Sequence, residues 1–296
     1  MSLKSFISKK GLGLYFCDKS FKEITSMKVG GKIKLLYYPS TVNNLCEVIR
    51  YMKKRKSKYL IIGNGTNIIA SDRVYKHPVI SGKHLIKGIE YFSDYFIVSA
   101  FMDLRLVLSK IASNQISSLV GLAGIPATVG GAIVMNASAY NMAISDNLLW
   151  VKYFDGKNIV VKKKDDIKFS YRNSEFKNSD IIILEAAFKI TYDINTLFTY
   201  KNLVNERKLK QPLNYPNSGS IFCNLKDIKA YQVIIDLDLV NKKIGGAKFS
   251  EKHANFIVNV DNAKGIDVYK LIKLAKQKAL KNKKIILKEE VILVNF

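Results

Sequence analysis

The sequence predicts a soluble protein of mixed helices and strands, divided into two domains. Three observations carry that reading. Its 296 residues give ample material for a core and suggest more than one domain. Apolar residues make up 48% and charged residues 24%, an ordinary globular balance. Short apolar runs of strand character alternate with segments of helical spacing, and glycine-rich turns separate them.

Residues 1–24 form a basic, partly helical lead-in. Met27-Lys28-Val29-Gly30-Gly31 then precedes a strand-like run ending at Pro39. Ser40 or Thr41 caps a helix through Met52, with Val42, Leu45, Ile49 and Met52 on one face. Tyr59-Leu60-Ile61-Ile62 is a buried strand feeding Gly63-Asn64-Gly65-Thr66-Asn67. A strand running into Gly-x-Gly is a phosphate-cradle pattern, because the glycines let backbone amides face an anion and Thr66 and Asn67 add donors. It lacks the third glycine of a dinucleotide fingerprint, since Ile68 stands there, and the Gly-Lys-Ser/Thr of a P-loop. A hairpin turn of Asn-Gly type accounts for the same residues equally well.

Val79–Ser81 and Tyr95–Ala100 read as further strands, and Leu104, Val107, Leu108 and Ile111 as a helix face. The organising stretch follows, from Gly121 to Tyr140. Four of the 17 glycines fall in its first eleven residues. Gly124-Ile125-Pro126 is a turn, because proline fixes φ and moves the preceding residue out of the helical region. Gly130-Gly131 removes two Cβ atoms in a row and admits another backbone or a ligand. A tight loop between packed elements is the competing account.

Residues 147–195 alternate as strands, with turns at Asp155-Gly156 and Asn178–Asp180. Within them, Arg172 stands between Tyr171 and Asn173, where it suits a bidentate grip on a carboxylate or phosphate or a plain surface position. Thr196–Leu209 is helical. Residues 210–224 form a loop rich in polar groups, with Ser220 after a glycine but no nucleophile elbow. Ala230–Val240 suits a helix, Gly245-Gly246-Ala247 a close approach, and Ile257–Val260 a strand. Val268, Leu271, Ile272, Ala275 and Ala279 repeat at helical spacing. Glu290 lies between the two closing apolar runs, as an edge carboxylate or something more.

Several classes are disfavoured. No apolar run reaches the 18 or so residues of a spanning helix, and the N-terminus has no continuous apolar core of a signal peptide. Cys17, Cys46 and Cys223 are odd in number and scattered, which fits a reducing cytoplasm and no zinc site, and His253 alone makes no metal centre. The net charge of +24 is spread widely, and its lysine clusters at 53–58, 162–164 and 276–284 read as solvated surface rather than a nucleic-acid patch.

Taken in order, seven segments resemble the UDP-N-acetylenolpyruvoylglucosamine reductase (MurB) family. They are Val29-Gly30-Gly31, residues 63–67, residues 124–132, Tyr171-Arg172-Asn173-Ser174, Gly219-Ser220-Ile221-Phe222, Gly245-Gly246-Ala247 and Leu287–Val291. The resemblance implies an α+β fold: a two-lobed FAD-binding region of vanillyl-alcohol-oxidase type over residues 1–195 (lobes of roughly 1–85 and 86–195), then a substrate-binding domain over 196–296. The last strand is expected to return to the first lobe. It also implies a cytoplasmic flavoprotein that passes a hydride from NADPH through non-covalent FAD to an enolpyruvyl UDP-sugar; the sequence does not give the oligomeric state, and a monomer is favoured. Neither nucleic acid nor membrane insertion is expected.

By the same resemblance Arg172 and Glu290 match the catalytic arginine and glutamate, and Ser220 the serine that donates a proton. Gly63, Asn64, Gly65, Thr66, Asn67, Gly124, Ile125, Thr128, Gly130, Gly131 and Ala132 match the cofactor-binding positions. Tyr140, Lys210, Asn224 and His253 match substrate-holding positions. The short path from Arg172 to Ser220 looks like the family's compact branch. The chain departs from the pattern at Ala127, Ser138 and Asn141, which replace glycines, at Cys223, which replaces a lysine, at Leu225, which replaces a proline, and at Lys288-Glu289, which replaces Glu-Pro. Two rivals share some of these features: an FAD-dependent oxidase of the same fold, and a non-enzymatic polyanion-binding protein.

Overall fold

In the computed structural model, which describes residues 1–85 and 88–296, the run before Pro39 is a strand, Leu36–Pro39, in a four-stranded sheet. It pairs antiparallel with Gly13–Phe16 and parallel with Val79–Ser81, which in turn pairs parallel with Leu60–Ile62. Helix Val42–Lys54 packs here because Leu45, Cys46, Val48, Ile49 and Met52 recur on one face. Its start is fixed by Thr41, whose hydroxyl accepts from the Asn44 N–H at 3.1 Å.

A second sheet of five antiparallel strands runs in the order Ile159–Lys163, Leu148–Phe154, Ile182–Lys189, Tyr95–Ser99, Ile89–Tyr91. Helix Leu104–Ser113 buries Leu104, Val107, Leu108 and Ile111 in the same core as Phe96, Val98 and Phe188. Helix Val129–Val134 joins that core through Val129, Ala132 and Ile133.

These elements belong to one packing unit, residues 1–17, 35–64 and 77–206. The second unit is residues 18–34, 65–76 and 207–296. Its sheet runs Asn217–Ser220, Phe256–Asn259, Ala247–Phe249, Lys243–Ile244. Helices Ala230–Asp236 and Gly265–Lys283 share its core with Phe222, Phe249, Ile257 and Ile272. Ile292–Val294 pairs parallel with Ile68–Ala70. The Asp72 carboxylate accepts from the N–H groups of Gly265 and Ile266 at 2.8 and 3.0 Å, so a residue almost two hundred positions away caps the long helix. Both units are thus discontinuous in sequence, whereas the functional division expected from the sequence is a single cut after residue 195. The expected lobe boundary touches Ile86 and Lys87, which lie outside the described residues.

Among the described residues, no helix is long and apolar enough to cross a membrane. Each basic cluster commits a lysine to the fold: Lys53 donates to the Asp155 carbonyl at 2.7 Å, Lys162 pairs with Glu175 at 2.6 Å, and Lys276 pairs with Glu289 at 2.6 Å.

Candidate active site

The glycine turn at 63–67 is delivered by strand Leu60–Ile62 and followed at once by strand Ile68–Ala70. It meets the organising stretch at one point. A Cβ on Gly63 would lie 2.4 Å from Thr128 Oγ1, so only glycine allows this approach. Thr128 in turn caps helix Val129–Val134, accepting from the Gly131 N–H at 3.2 Å. Gly130 and Gly131 therefore stand inside a helix, where the sequence suggested a loop. Two glycines weaken a helix by about 1 kcal/mol each. Packing overrides that propensity: a Cβ on Gly130 would press within 3.1 Å of Ala100.

The glycines divide by what they face. A Cβ on Gly65 (φ +65°) would lie 2.4 Å from the Ile24 carbonyl, so protein explains that glycine. A Cβ on Gly131 would meet Thr128 Oγ1 alone within 4 Å, so its other side is open. Gly124 sits at φ +77°, as its turn requires. Beside the first turn, Asn64 Nδ2 donates to Asp103 Oδ2 at 3.0 Å. Asp103 also caps helix Leu104–Ser113 through the Arg105 N–H at 2.9 Å and pairs with the Arg105 guanidinium at 2.8 Å. Burial alone would raise the Asp103 pKa, but the hydrogen bonds and charge of Arg105, with Asn64, outweigh it and hold the carboxyl below its ordinary range. A tight turn at Gly63-Asn64, next to a helix start with one open face, suits close backbone approach to the phosphates of a dinucleotide cofactor. Ile125 and Ala132 lie beside these glycines, and Ala132 is buried.

Arg172 occupies the second loop position of a two-residue hairpin between Phe169–Ser170 and Asn173–Ser174. It adopts φ +55°, a left-handed conformation costing a non-glycine residue about 1 kcal/mol or more. Side chains tie the hairpin to residues 134–138. Asn136 Nδ2 donates to the Ser170 carbonyl at 3.0 Å, Ser174 Oγ donates to the Val134 carbonyl at 2.8 Å, and Arg172 Nη1 donates to Ser138. The guanidinium also lies 5.3 Å from the centre of the Tyr171 ring. Tyr140 is exposed at the tip of the adjoining hairpin, where it and Asn141 have φ of +48° and +59°, as a type I′ turn demands.

Ser220 ends strand Asn217–Ser220 and is half-buried. Asn217 pairs with Val258 and Ser220 with Phe256, so Ser218 and Gly219 together oppose Ile257. This bulge, with Gly219 at φ +74°, turns Ser220 away from the plain alternation of the strand. The next residues are clamped on both sides. The Ile221 and Phe222 N–H groups donate to the backbone carbonyl and side-chain Oδ1 of Asn255 at 2.8 and 3.0 Å, and Asn255 Nδ2 returns a bond to the Phe222 carbonyl at 2.8 Å. On the other side the Glu290 N–H donates to the Ile221 carbonyl at 2.8 Å and the Cys223 N–H to the Lys288 carbonyl at 2.9 Å. Ser220 and Glu290 thus lie on paired segments of one unit. Glu290 is half-buried, not a freely solvated edge carboxylate.

Arg172 and Tyr140 belong to the first unit, and Ser220, Asn224, His253 and Glu290 to the second. Lys210 is exposed at the end of helix Thr196–Lys210. Asn224 is exposed, and its Oδ1 accepts from the Ala230 N–H at 3.0 Å, the start of the next helix. His253 lies against Tyr231 and Phe256, with its Nδ1 buried and lacking a hydrogen-bond partner. Burial holds its pKa below the ordinary value. No group of three or more metal-ligating side chains occurs among the described residues.

Sequence reasoning passed over Asn255 and Asp103, and credited Asn136 and Ser138 with no role. Asn255 had a signal: an amide between Ala254 and Phe256 in an apolar run, which buried polar groups tolerate only when fully bonded.

Comparison with known proteins accords with this geometry. Residues 33–162 match the family model described as an FAD binding domain. Residues 211–294 match the model described as the C-terminal domain of UDP-N-acetylenolpyruvoylglucosamine reductase. The UDP-N-acetylenolpyruvoylglucosamine reductase of Thermosipho melanesiensis is 36% identical, over 95% of this chain and 96% of its own. That of Caldicellulosiruptor bescii is 33% identical, over 98% and 94%. The crystal structure of the Thermus caldophilus enzyme superposes with a TM-score of 0.80 at 26% identity, covering 95% of this chain and 98% of that one. The two domain models, the near-complete coverage and the shared fold together place this α+β chain in the UDP-N-acetylenolpyruvoylglucosamine reductase (MurB) family.

Proposed function

We infer that this protein is the FAD-containing reductase that converts UDP-N-acetylglucosamine enolpyruvate to UDP-N-acetylmuramate, with NADPH as hydride donor, in peptidoglycan precursor synthesis. The observation that carries this reading is similarity to reductases of that name along nearly the whole chain. The functional division is an FAD-binding region over 1–195 and a substrate-binding domain over 196–296, working as a cytoplasmic monomer.

When bound, FAD would supply the redox chemistry that links NADPH to the enolpyruvyl double bond. Residues 63–67 and 124–132 hold the cofactor through backbone amides, Asn64, Thr66 and Thr128. FAD is held without a covalent tether, since the sequence offers no persuasive histidine or cysteine near either loop. Hydride addition pushes negative charge toward the substrate carboxylate. The Arg172 guanidinium, fixed in its strained hairpin, stabilises that charge. Glu290, half-buried on its clamped segment, carries or shares a proton that helps the enolate. Ser220 Oγ delivers the proton to the other carbon, so the double bond gains one hydride and one proton. Lys210, Asn224, Tyr140 and His253 hold the UDP-sugar.

The test is an anaerobic titration of the purified protein. NADPH bleaches the flavin absorbance, the enolpyruvyl UDP-sugar restores it, and acid precipitation leaves yellow supernatant. A bleached flavin that the sugar does not reoxidise removes the reductase reading, and flavin retained in the acid pellet removes the non-covalent one.

A further inference from the structure

Ser138 stands where the family pattern has glycine, and it bonds the side chain of Arg172. Arg172 Nη1 donates to the Ser138 hydroxyl at 2.8 Å and to the Ser138 carbonyl at 3.0 Å. A guanidinium carries five N–H donors in a rigid plane. Both protons on one terminal nitrogen are therefore directed at a single residue, which fixes the plane as well as the position of the charge. The carbonyl contact needs only a backbone, and the hydroxyl contact needs serine or threonine. The frame beneath is firm: Asn136 is buried and holds the Ser170 carbonyl, and Ser174 holds the Val134 carbonyl, so residues 134–138 and 169–174 are joined on either side of Arg172.

We propose that Ser138 is a positioning residue for Arg172, its hydroxyl setting the orientation in which the guanidinium meets the developing carboxylate charge of the substrate. This rests on the role given to Arg172 above. Hydrogen bonds to charged groups are among the stronger ones, and the Ser138 hydroxyl supplies one such bond.

The experiment times the two half-reactions by stopped-flow absorbance in Ser138→Ala, Ser138→Gly, Ser138→Thr, Arg172→Ala and Arg172→Lys, and in Ser138→Ala combined with Arg172→Lys. The expected result is that Ser138→Ala and Ser138→Gly slow reoxidation of reduced flavin by the enolpyruvyl UDP-sugar about tenfold. They leave flavin reduction by NADPH and the melting temperature near wild type, and Ser138→Thr recovers most of the loss. In the Arg172→Lys background Ser138→Ala adds less than about twofold, because the shared interaction is already gone. Wild-type reoxidation in Ser138→Ala, with severe slowing in Arg172→Ala, overturns the role of Ser138 alone. Equal slowing of both half-reactions, or a melting temperature several degrees lower, makes Ser138 merely structural and also overturns it. Normal reoxidation in Arg172→Ala removes the reading of Arg172 itself, a distinguishable failure.

Discussion

Asn67 Nδ2 donates to the backbone carbonyl of Glu290 at 3.1 Å. The two residues are more than two hundred positions apart, and the sequence reading gave them different tasks, cofactor and catalysis. The Asn67 carbonyl also accepts from the Ile292 N–H at 2.8 Å, so the end of the first glycine turn holds Glu290 from both its carbonyl and its downstream side. Replacing Asn67 with Ala is expected to slow reoxidation by the enolpyruvyl sugar by about 3- to 10-fold, the worth of one ordinary hydrogen bond. FAD affinity, measured by fluorescence quenching, should change less. A large loss of FAD with normal reoxidation would assign Asn67 to the cofactor alone.

Ser220→Ala separates the chemistry cleanly. No substrate proton moves when NADPH reduces the flavin, so that step should stay near wild type. Reoxidation by the sugar should slow about 10²–10⁴-fold, the usual cost of a missing positioned acid. If neither step slows in stopped-flow traces, another group supplies the proton, and the bulge at Ser218-Gly219 aims Ser220 at something else.

Gly63→Ala should damage structure and cofactor together. The added methyl would sit 2.4 Å from Thr128 Oγ1, which must then leave its cap on Gly131. Overpacking and a lost cap are each worth about 1–2 kcal/mol. The melting temperature and the flavin content after purification are both expected to fall. Full flavin occupancy at an unchanged melting temperature would show that Thr128 turns aside at no cost.

His253 predicts a pH dependence. Burial, which outweighs its own backbone contact, holds its pKa below the ordinary 6.5. Between the lowered value and 6.5 the unfolded chain binds more protons than the folded one. The stability from keeping this ring neutral is therefore present above pH 6.5 and is lost as pH falls through that window. The slope stays under about 1.4 kcal/mol per pH unit, since a single ring exchanges at most one proton. Urea midpoints followed downward from neutral pH should fall less steeply for His253→Gln than for wild type. Parallel curves for the two proteins would mean that the ring is hydrated after all.

Elements with their own local pattern were legible in the sequence. The helix faces at Leu104–Ile111 and Val268–Ala279 lie where the spacing put them, because a helix declares its buried side within a few turns. Thr41 is the cap for the same local reason. Helix Val129–Val134 was hidden by Gly130-Gly131, since the value of Gly130 lies in its close approach to Ala100 and not in propensity. The pairing of residues 221–223 with 288–290, and the clamp from Asn255, left no local trace, because each joins segments far apart in the chain. The candidate site residues were proposed through family motifs rather than spacing. Ser138 was visible as a departure, but its hydroxyl acquires meaning only beside Arg172.

The parallel pairing of Ile68–Ala70 with Ile292–Val294 sets a timetable for biosynthesis. At about 5–20 residues per second, a ribosome needs roughly 10–45 s to make the partner strand after the first has been threaded out. Throughout that interval residues 18–34 and 65–76 wait without the C-terminal third they pack with, while the neighbouring segments of the first unit are already complete by residue 206. The nascent chain therefore spends most of its synthesis with apolar groups such as Met27, Val29 and Ile69 lacking their final partners, and these are the surfaces on which a chaperone would act.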